Sequence, residues 1–148
     1  MNLDKAHNDG KHFMHLLQQR LGTEDNWDKT TRILKGILHT LRDNMQVGEA
    51  INALAQMPLF LKGIFVDEWK YSAEPEKLRS LNKYVEAVQN RKEIVEFKDL
   101  PDEEAVIHAS KEVISLLSEY LSEGQMEHIK SNMHKDLHFI FDEALSHH

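Results

Sequence analysis

Residues 34–69 read LKGILHTLRDNMQVGEAINALAQMPLFLKGIFVDEW, and residues 110–145 read SKEVISLLSEYLSEGQMEHIKSNMHKDLHFIFDEAL. In the first stretch Leu34, Ile37, Leu38, Leu41 and Met45 recur at steps of three and four, the stripe of a helix with one buried face. Gly48 interrupts that stripe, and a short helix follows to Met57. Pro58 disfavours helical geometry at Met57 and suits the first turn of a new helix. The new helix carries Leu61, Ile64, Phe65 and Trp69.

The second stretch lies on the first without a gap when Ser110 is set against Leu34. Lys35 then meets Lys111, Leu41 meets Leu117, Gly48 meets Gly124, Met57 meets Met133, Leu61 meets Leu137, Ile64 meets Ile140 and Phe65 meets Phe141. The matches fall on core-facing positions and on the corner glycine. The expected unit is a long helix, a glycine-marked corner, a short helix and a final apolar helix, present in two divergent copies. Gly48 and Gly124 should sit at equivalent corners, where glycine accepts positive φ cheaply.

Outward from these stretches helical periodicity continues. Phe13, Leu16, Leu17 and Leu21 form a stripe over residues 11–21, with Gly10 marking its start and Gly22 its end. A turn at 23–26 leads into a long helix from about Trp27 to Asn44. Residues 71–76, with Pro75, read as a loop. Residues 78–90 form an amphipathic helix through Leu78, Leu81, Tyr84, Val85 and Val88. Residues 91–100 are irregular, and the alternation of Glu93, Val95 and Phe97 is too short for a strand. Pro101, followed by Asp102, Glu103 and Glu104, opens a helix to about Leu121, with acids at the positive end of its dipole. Ser122 and Gln125 make an S-x-x-Q capping box, and a last helix carries Leu137, Ile140, Phe141, Ala144 and Leu145. The expected fold is all-α, a bundle of about seven or eight helices in a single domain over 1–148. The internal repeat spans 34–69 and 110–145, and helices at about 11–21 and 78–90 pack against it.

The run Ile37-Leu38 to Leu41, then Gly48-Glu49-Ala50, Ala55-Gln56-Met57-Pro58, Leu61 and Trp69, resembles the first half of the bacterial domain-of-unknown-function 2267 family. Val113-Ile114-x-x-Leu117 and Leu121-Ser122-x-Gly124-Gln125 resemble the same design in the second half. The resemblance covers roughly residues 13–145. The second copy departs from it at His134, which stands in place of the proline and implies a softer kink. The resemblance implies an all-helical tandem repeat in bacteria and carries over no catalytic residue.

The chain of 148 residues has a net charge of −7. Residues 1–74 carry 9 Lys/Arg against 10 Asp/Glu, and residues 75–148 carry 9 against 15. An acidic chain repels phosphate backbones, which argues against a nucleic-acid partner. Without cysteine there is no disulfide, thiol nucleophile or thiolate metal site, and a cytoplasmic home is expected. Residues 1–11 lack the apolar run of a signal peptide, and no stretch approaches a membrane span, so no membrane contact is expected.

Ten histidines raise the question of metal. His134 and His138 are four apart and can face one ion from one side of a helix, with Asp142 on the same stripe. His12 and His15, with His7 upstream, form a second group. Two ligands on one helix are half a site, and neither H-E-x-x-H nor a di-iron Glu-x-x-His repeat is present. His147 and His148 end the chain and are set aside. No nucleophile elbow, Walker loop or dinucleotide fingerprint points to an enzyme, and no cofactor is expected. The leading expectation is a non-catalytic protein-interaction or regulatory module that binds a protein partner or self-associates. A histidine-based metal-binding protein or metalloenzyme comes second, and a carrier for a small apolar ligand between the repeats third.

The copies differ at six aligned positions where the first is apolar and the second charged. Val47 pairs with Glu123, Ile51 with Glu127 and Leu54 with Lys130; Leu59 pairs with Lys135, Phe60 with Asp136 and Val66 with Asp142. Either the helices at 11–21 and 78–90 cover this extra face, or part of it stays exposed and binds a partner. Leu59 and Phe60, just after Pro58, are the candidate partner-binding residues.

Overall fold

The computed structural model describes residues 2–70, 74–94 and 97–146. The start of the Tyr71 loop, part of the Glu93–Val95–Phe97 alternation, and His147 and His148 lie outside the described residues. Among the described residues there are eight α-helices and no strand. They are α1 (Leu3–Leu21), α2 (Trp27–Asp43), α3 (Val47–Gln56), α4 (Leu59–Val66), α5 (Leu81–Gln89), α6 (Glu103–Leu117), α7 (Glu123–Ser131) and α8 (His138–Leu145). Single 3₁₀ turns sit at Phe97–Asp99 and Lys135–Leu137. None of these helices is long and apolar enough to cross a membrane.

One continuous core runs through all eight helices, from Phe13 and Leu17 on α1 to Phe141 and Ala144 on α8. The expected stripes are its centre: Leu34, Ile37, Leu38 and Leu41 on α2, and Val113, Ile114, Leu116 and Leu117 on α6. Helix α2 packs on α6 and α3 on α7, while α1 lies against α6 and α5 against α2.

Helix starts recur in the register that lays Lys35 on Lys111: α2 at Trp27 and α6 at Glu103, α3 at Val47 and α7 at Glu123, α4 at Leu59 and the turn leading into α8 at Lys135. The ion pair Lys35–Asp67, 2.7 Å, has its counterpart in Lys111–Glu143, also 2.7 Å. At the α3–α7 contact two bonds cross reciprocally. The Gln46 backbone N–H donates to Asn132 Oδ1 at 3.1 Å, and the Ser122 backbone N–H donates to Gln56 Oε1 at 2.8 Å. Gln46 and Ser122 occupy the same place in that register, and so do Gln56 and Asn132.

Several boundaries depart from expectation. Helix α1 begins at Leu3, not near Gly10, because Asn2 caps it and Lys5 pairs with Asp9 across one turn. Gly10 lies mid-helix where a Cβ would come within 3.2 Å of Phe60, so its smallness lets α1 approach α4. Gly48 and Gly124 both stand second in their helices, and neither has positive φ. The corners are made instead by the preceding Gln46 and Ser122, extended at φ −60°, ψ 144° and φ −65°, ψ 157°. Nor is the kink at His134 softer. His134 holds φ −60°, ψ 148° against φ −68°, ψ 162° for Pro58. Its Nδ1 accepts the Asp136 N–H at 3.1 Å, replacing proline's fixed φ with a side-chain cap. Half of the capping box forms, with Ser122 Oγ accepting from the Gln125 N–H at 3.1 Å, while Gln56 supplies the other half across the molecule. Helix α5 starts at Leu81 because Ser80 caps it, and α6 ends at Leu117 in a turn rather than running to Leu121.

Candidate functional site

Helix α3 carries Val47, Ile51 and Leu54 on one stripe, and α4 carries Leu59 and Val66 two turns apart. Ile51 is 50% exposed, Leu59 40% and Val66 41%, while Val47, Leu54 and Phe60 are half-buried. None of the six positions is buried, so α1 and α5 do not cover this face. The two adjacent candidates point different ways. Leu59 is exposed, whereas Phe60 packs on α1 with its ring 5.2 Å from Phe13 and 6.1 Å from Tyr120. The corresponding positions on α7 and α8 form a charged surface, where Lys130 pairs with Asp142 at 2.7 Å. Those two residues stand where Leu54 and Val66 stand on α3 and α4, so one end of the apolar face is matched by an ion pair.

The histidine pair is separated by its own backbone bonds. His134 caps the turn before α8, and His138 Nε2 bonds the Met133 carbonyl at 3.1 Å. His12 is exposed, and His15 meets the Trp27 ring edge-on. Among the described residues no three His, Cys, Asp or Glu side chains converge to hold an ion.

A buried charged network at the end of α2 is absent from the sequence expectations. His39 bonds Glu93 through Nδ1 and the Ile64 carbonyl through Nε2, the latter at 2.6 Å. Both ring nitrogens therefore face oxygen, an arrangement a ring with two N–H donors satisfies. Arg42 donates to the Phe65 carbonyl at 2.7 Å and the Asp67 carbonyl at 3.0 Å, groups left open at the end of α4. Arg42 also pairs with Asp43, which Arg91 reaches at 2.9 Å. Burial pushes the Glu93 carboxyl up. The His39 hydrogen bond, its own backbone N–H and the nearby charges of Arg91 and His39 outweigh that and hold it below the usual value. The network ties α2, α4 and residues 91–94 together, and His39 is too buried to act on a substrate. Elsewhere burial pushes the Tyr84 hydroxyl, bonded to Ser110, up to about 12.

Two surface clefts lie at matching ends of the chain's halves. One, of about 470 Å³, lies where α2 ends, α3 begins and α4 closes, with Met45, Val47 and Trp69 in its wall. The other, of about 570 Å³, lies where α6 ends, α7 begins and α8 closes, with Leu121, Met126 and Leu145 in its wall.

Comparison with known proteins adds a single finding. A family model described as "Uncharacterized conserved protein (DUF2267)" matches residues 10–139. No curated protein matches the chain.

Proposed function

The chain belongs to the DUF2267 family of uncharacterised conserved proteins, and from that premise we propose a non-catalytic protein-interaction or regulatory module built from two copies of one helical unit. The coincident helix starts, the matched ion pairs and the reciprocal caps support the two copies. The docking face is the apolar surface of α3 and α4, centred on Ile51, Leu59 and Val66. One observation carries this reading. The face is solvent-exposed in the first unit, whereas the second unit carries Glu127, Lys135 and Asp142 at the same places. Exposed apolar side chains gain by leaving water, at about 25 cal/mol per Å² of area covered. The charged equivalents indicate that the fold itself does not need apolar residues there. The reading places the protein in the cytoplasm, where a cysteine-free chain loses nothing to a reducing medium.

The test is a photo-crosslinking amino acid placed at Leu59 or, separately, at Lys135, in protein expressed in its own cells. Leu59 should give a discrete adduct, with a partner or with a second copy, and Lys135 should give none. Equal labelling from both positions, or no adduct from Leu59, would contradict the assignment.

A further inference from the structure

The two clefts are the same feature of the fold met twice. Arg42, Met45, Val47, Trp69 and Lys70 border the first. The residues aligned with them in the second copy, Ser118, Leu121, Glu123, Leu145 and Ser146, all border the second. The side chains around them have diverged, yet both clefts keep an apolar wall beside exposed acids. The acids are Glu68, Glu74 and Glu76 at the first cleft and Glu123, Glu127 and Asp142 at the second.

The cations near the first cleft are largely committed. Arg42 is spent on Asp43 and the α4 carbonyls, Arg91 on Asp43 and Glu93, and Lys92 on Glu68. The carboxylate of Glu93, which also lines this cleft, has a side chain only 8% exposed, and its Oε1 accepts no hydrogen bond. A buried carboxylate oxygen without a donor is costly, and a cationic N–H from outside would satisfy it. Glu68 at the cleft edge holds φ 56°, a left-handed conformation uncommon outside glycine and a form of strain that gathers at ligand sites.

We propose that the two clefts are paired docking sites for cationic amphipathic peptide segments, one segment per helical unit. An apolar residue of the segment packs on Met45 and Trp69, or on Leu121 and Leu145, while its lysines or arginines meet the acidic rim. In the first cleft one of these cations reaches Glu93. The charge of −7 on the chain favours such a ligand at long range. Two sites held in fixed relation on one chain would give a partner with two basic segments an avidity that neither cleft has alone.

The probe is a short synthetic helical peptide of leucine and lysine, titrated calorimetrically, with its leucine–glutamate counterpart as control. The expected result is two lysine peptides per chain, binding that weakens at least about tenfold as added salt screens the rim, and no binding of the glutamate peptide. In a Trp27→Phe background, Trp69 emission should respond to occupation of the first cleft. Glu127→Lys with Asp142→Lys should remove one equivalent and leave the Trp69 response. Glu74→Lys with Glu76→Lys should remove that response and leave the other equivalent. All these side chains are exposed, so melting temperatures should not move. No saturable binding, a single equivalent, equal binding of the glutamate peptide, or rim variants that keep both equivalents would overturn the proposal. The peptide should also bind a variant with the α3–α4 face made charged, so the failure of either reading leaves the other standing.

Discussion

His39 and Glu93 lie far apart in the chain and share a buried hydrogen bond. Nothing in the spacing of either residue announces the pair. Glu93 falls in a stretch with no helical period, and His39 sits among the apolar residues of α2, where histidine ordinarily reads as a tolerated polar interruption. Taking one partner out of such a pair strands the other without water, which costs roughly 3 kcal/mol. His39→Ala and Glu93→Gln should therefore each lower the urea midpoint by about that amount at unchanged slope. The Glu93 carboxyl is held below its ordinary value of 4.5, so its contribution is present above about pH 4.5 and is lost as pH falls through the folded value. Wild-type stability should fall in that acid range, and Glu93→Gln should flatten that part of the curve. An unchanged acid limb in the variant would place the titration elsewhere. His134 and His138 were legible as a spaced pair. Their bonds to the neighbouring backbone were not, because a four-residue spacing does not say whether each ring turns outward or back upon its own turn.

At the scale of the elements, composition and period were enough to place nearly every helix. The departures come from caps. Asn2 and Ser80 set the starts of α1 and α5, since a side-chain oxygen on an open N–H decides where a helix begins. Pro58 was readable because its ring fixes φ, whereas His134 reaches the same backbone through a hydrogen bond that sequence does not display. A further likeness was hidden by a change of register. Phe13, Met14, Leu17 and Gln18 on α1 match Tyr84, Val85, Val88 and Gln89 on α5, but not in the register that joins residues 34–69 to 110–145. Both glutamines donate to a carbonyl shortly before the next long helix, Gln18 to Thr23 at 3.1 Å and Gln89 to Leu100 at 3.0 Å. The crossed caps at α3 and α7 permit a test of the paired design. Gln56→Ala and Asn132→Ala should each cost about 1 kcal/mol, the usual loss of a helix cap. Native-state hydrogen exchange should report the loss at the Ser122 amide in the first variant and at the Gln46 amide in the second. Loss at the wrong amide, or at neither, would remove the reciprocal bonds from the account.

Across the whole molecule, the all-helical class and the core stripes could be read from period alone, because burial imposes the same spacing wherever a helix meets a core. The difference between the two halves was legible too, as apolar residues facing charged ones. Whether α1 and α5 covered the apolar set was not, since that depends on where each helix lies and not on what it is made of. Phe60 is taken up by α1, while Ile51, Leu59 and Val66 are left open. The clefts were hidden for the same reason, each being formed by the ends of three helices that are separate in sequence. The central claim is that the open face exists for docking rather than for folding. The measurement that tests it most directly compares wild type with the variant Ile51→Glu, Leu59→Lys, Val66→Asp, which copies what the second half already carries. Melting temperature and sedimentation are read on the same samples, with and without the partner identified by crosslinking. Exposed substitutions shift stability by no more than about 0.5 kcal/mol, so the account predicts an unchanged melting temperature together with loss of self-association or partner binding. A variant that melts several degrees lower would make the face part of the core, and one that melts and associates as wild type does would show that the exposed face docks nothing.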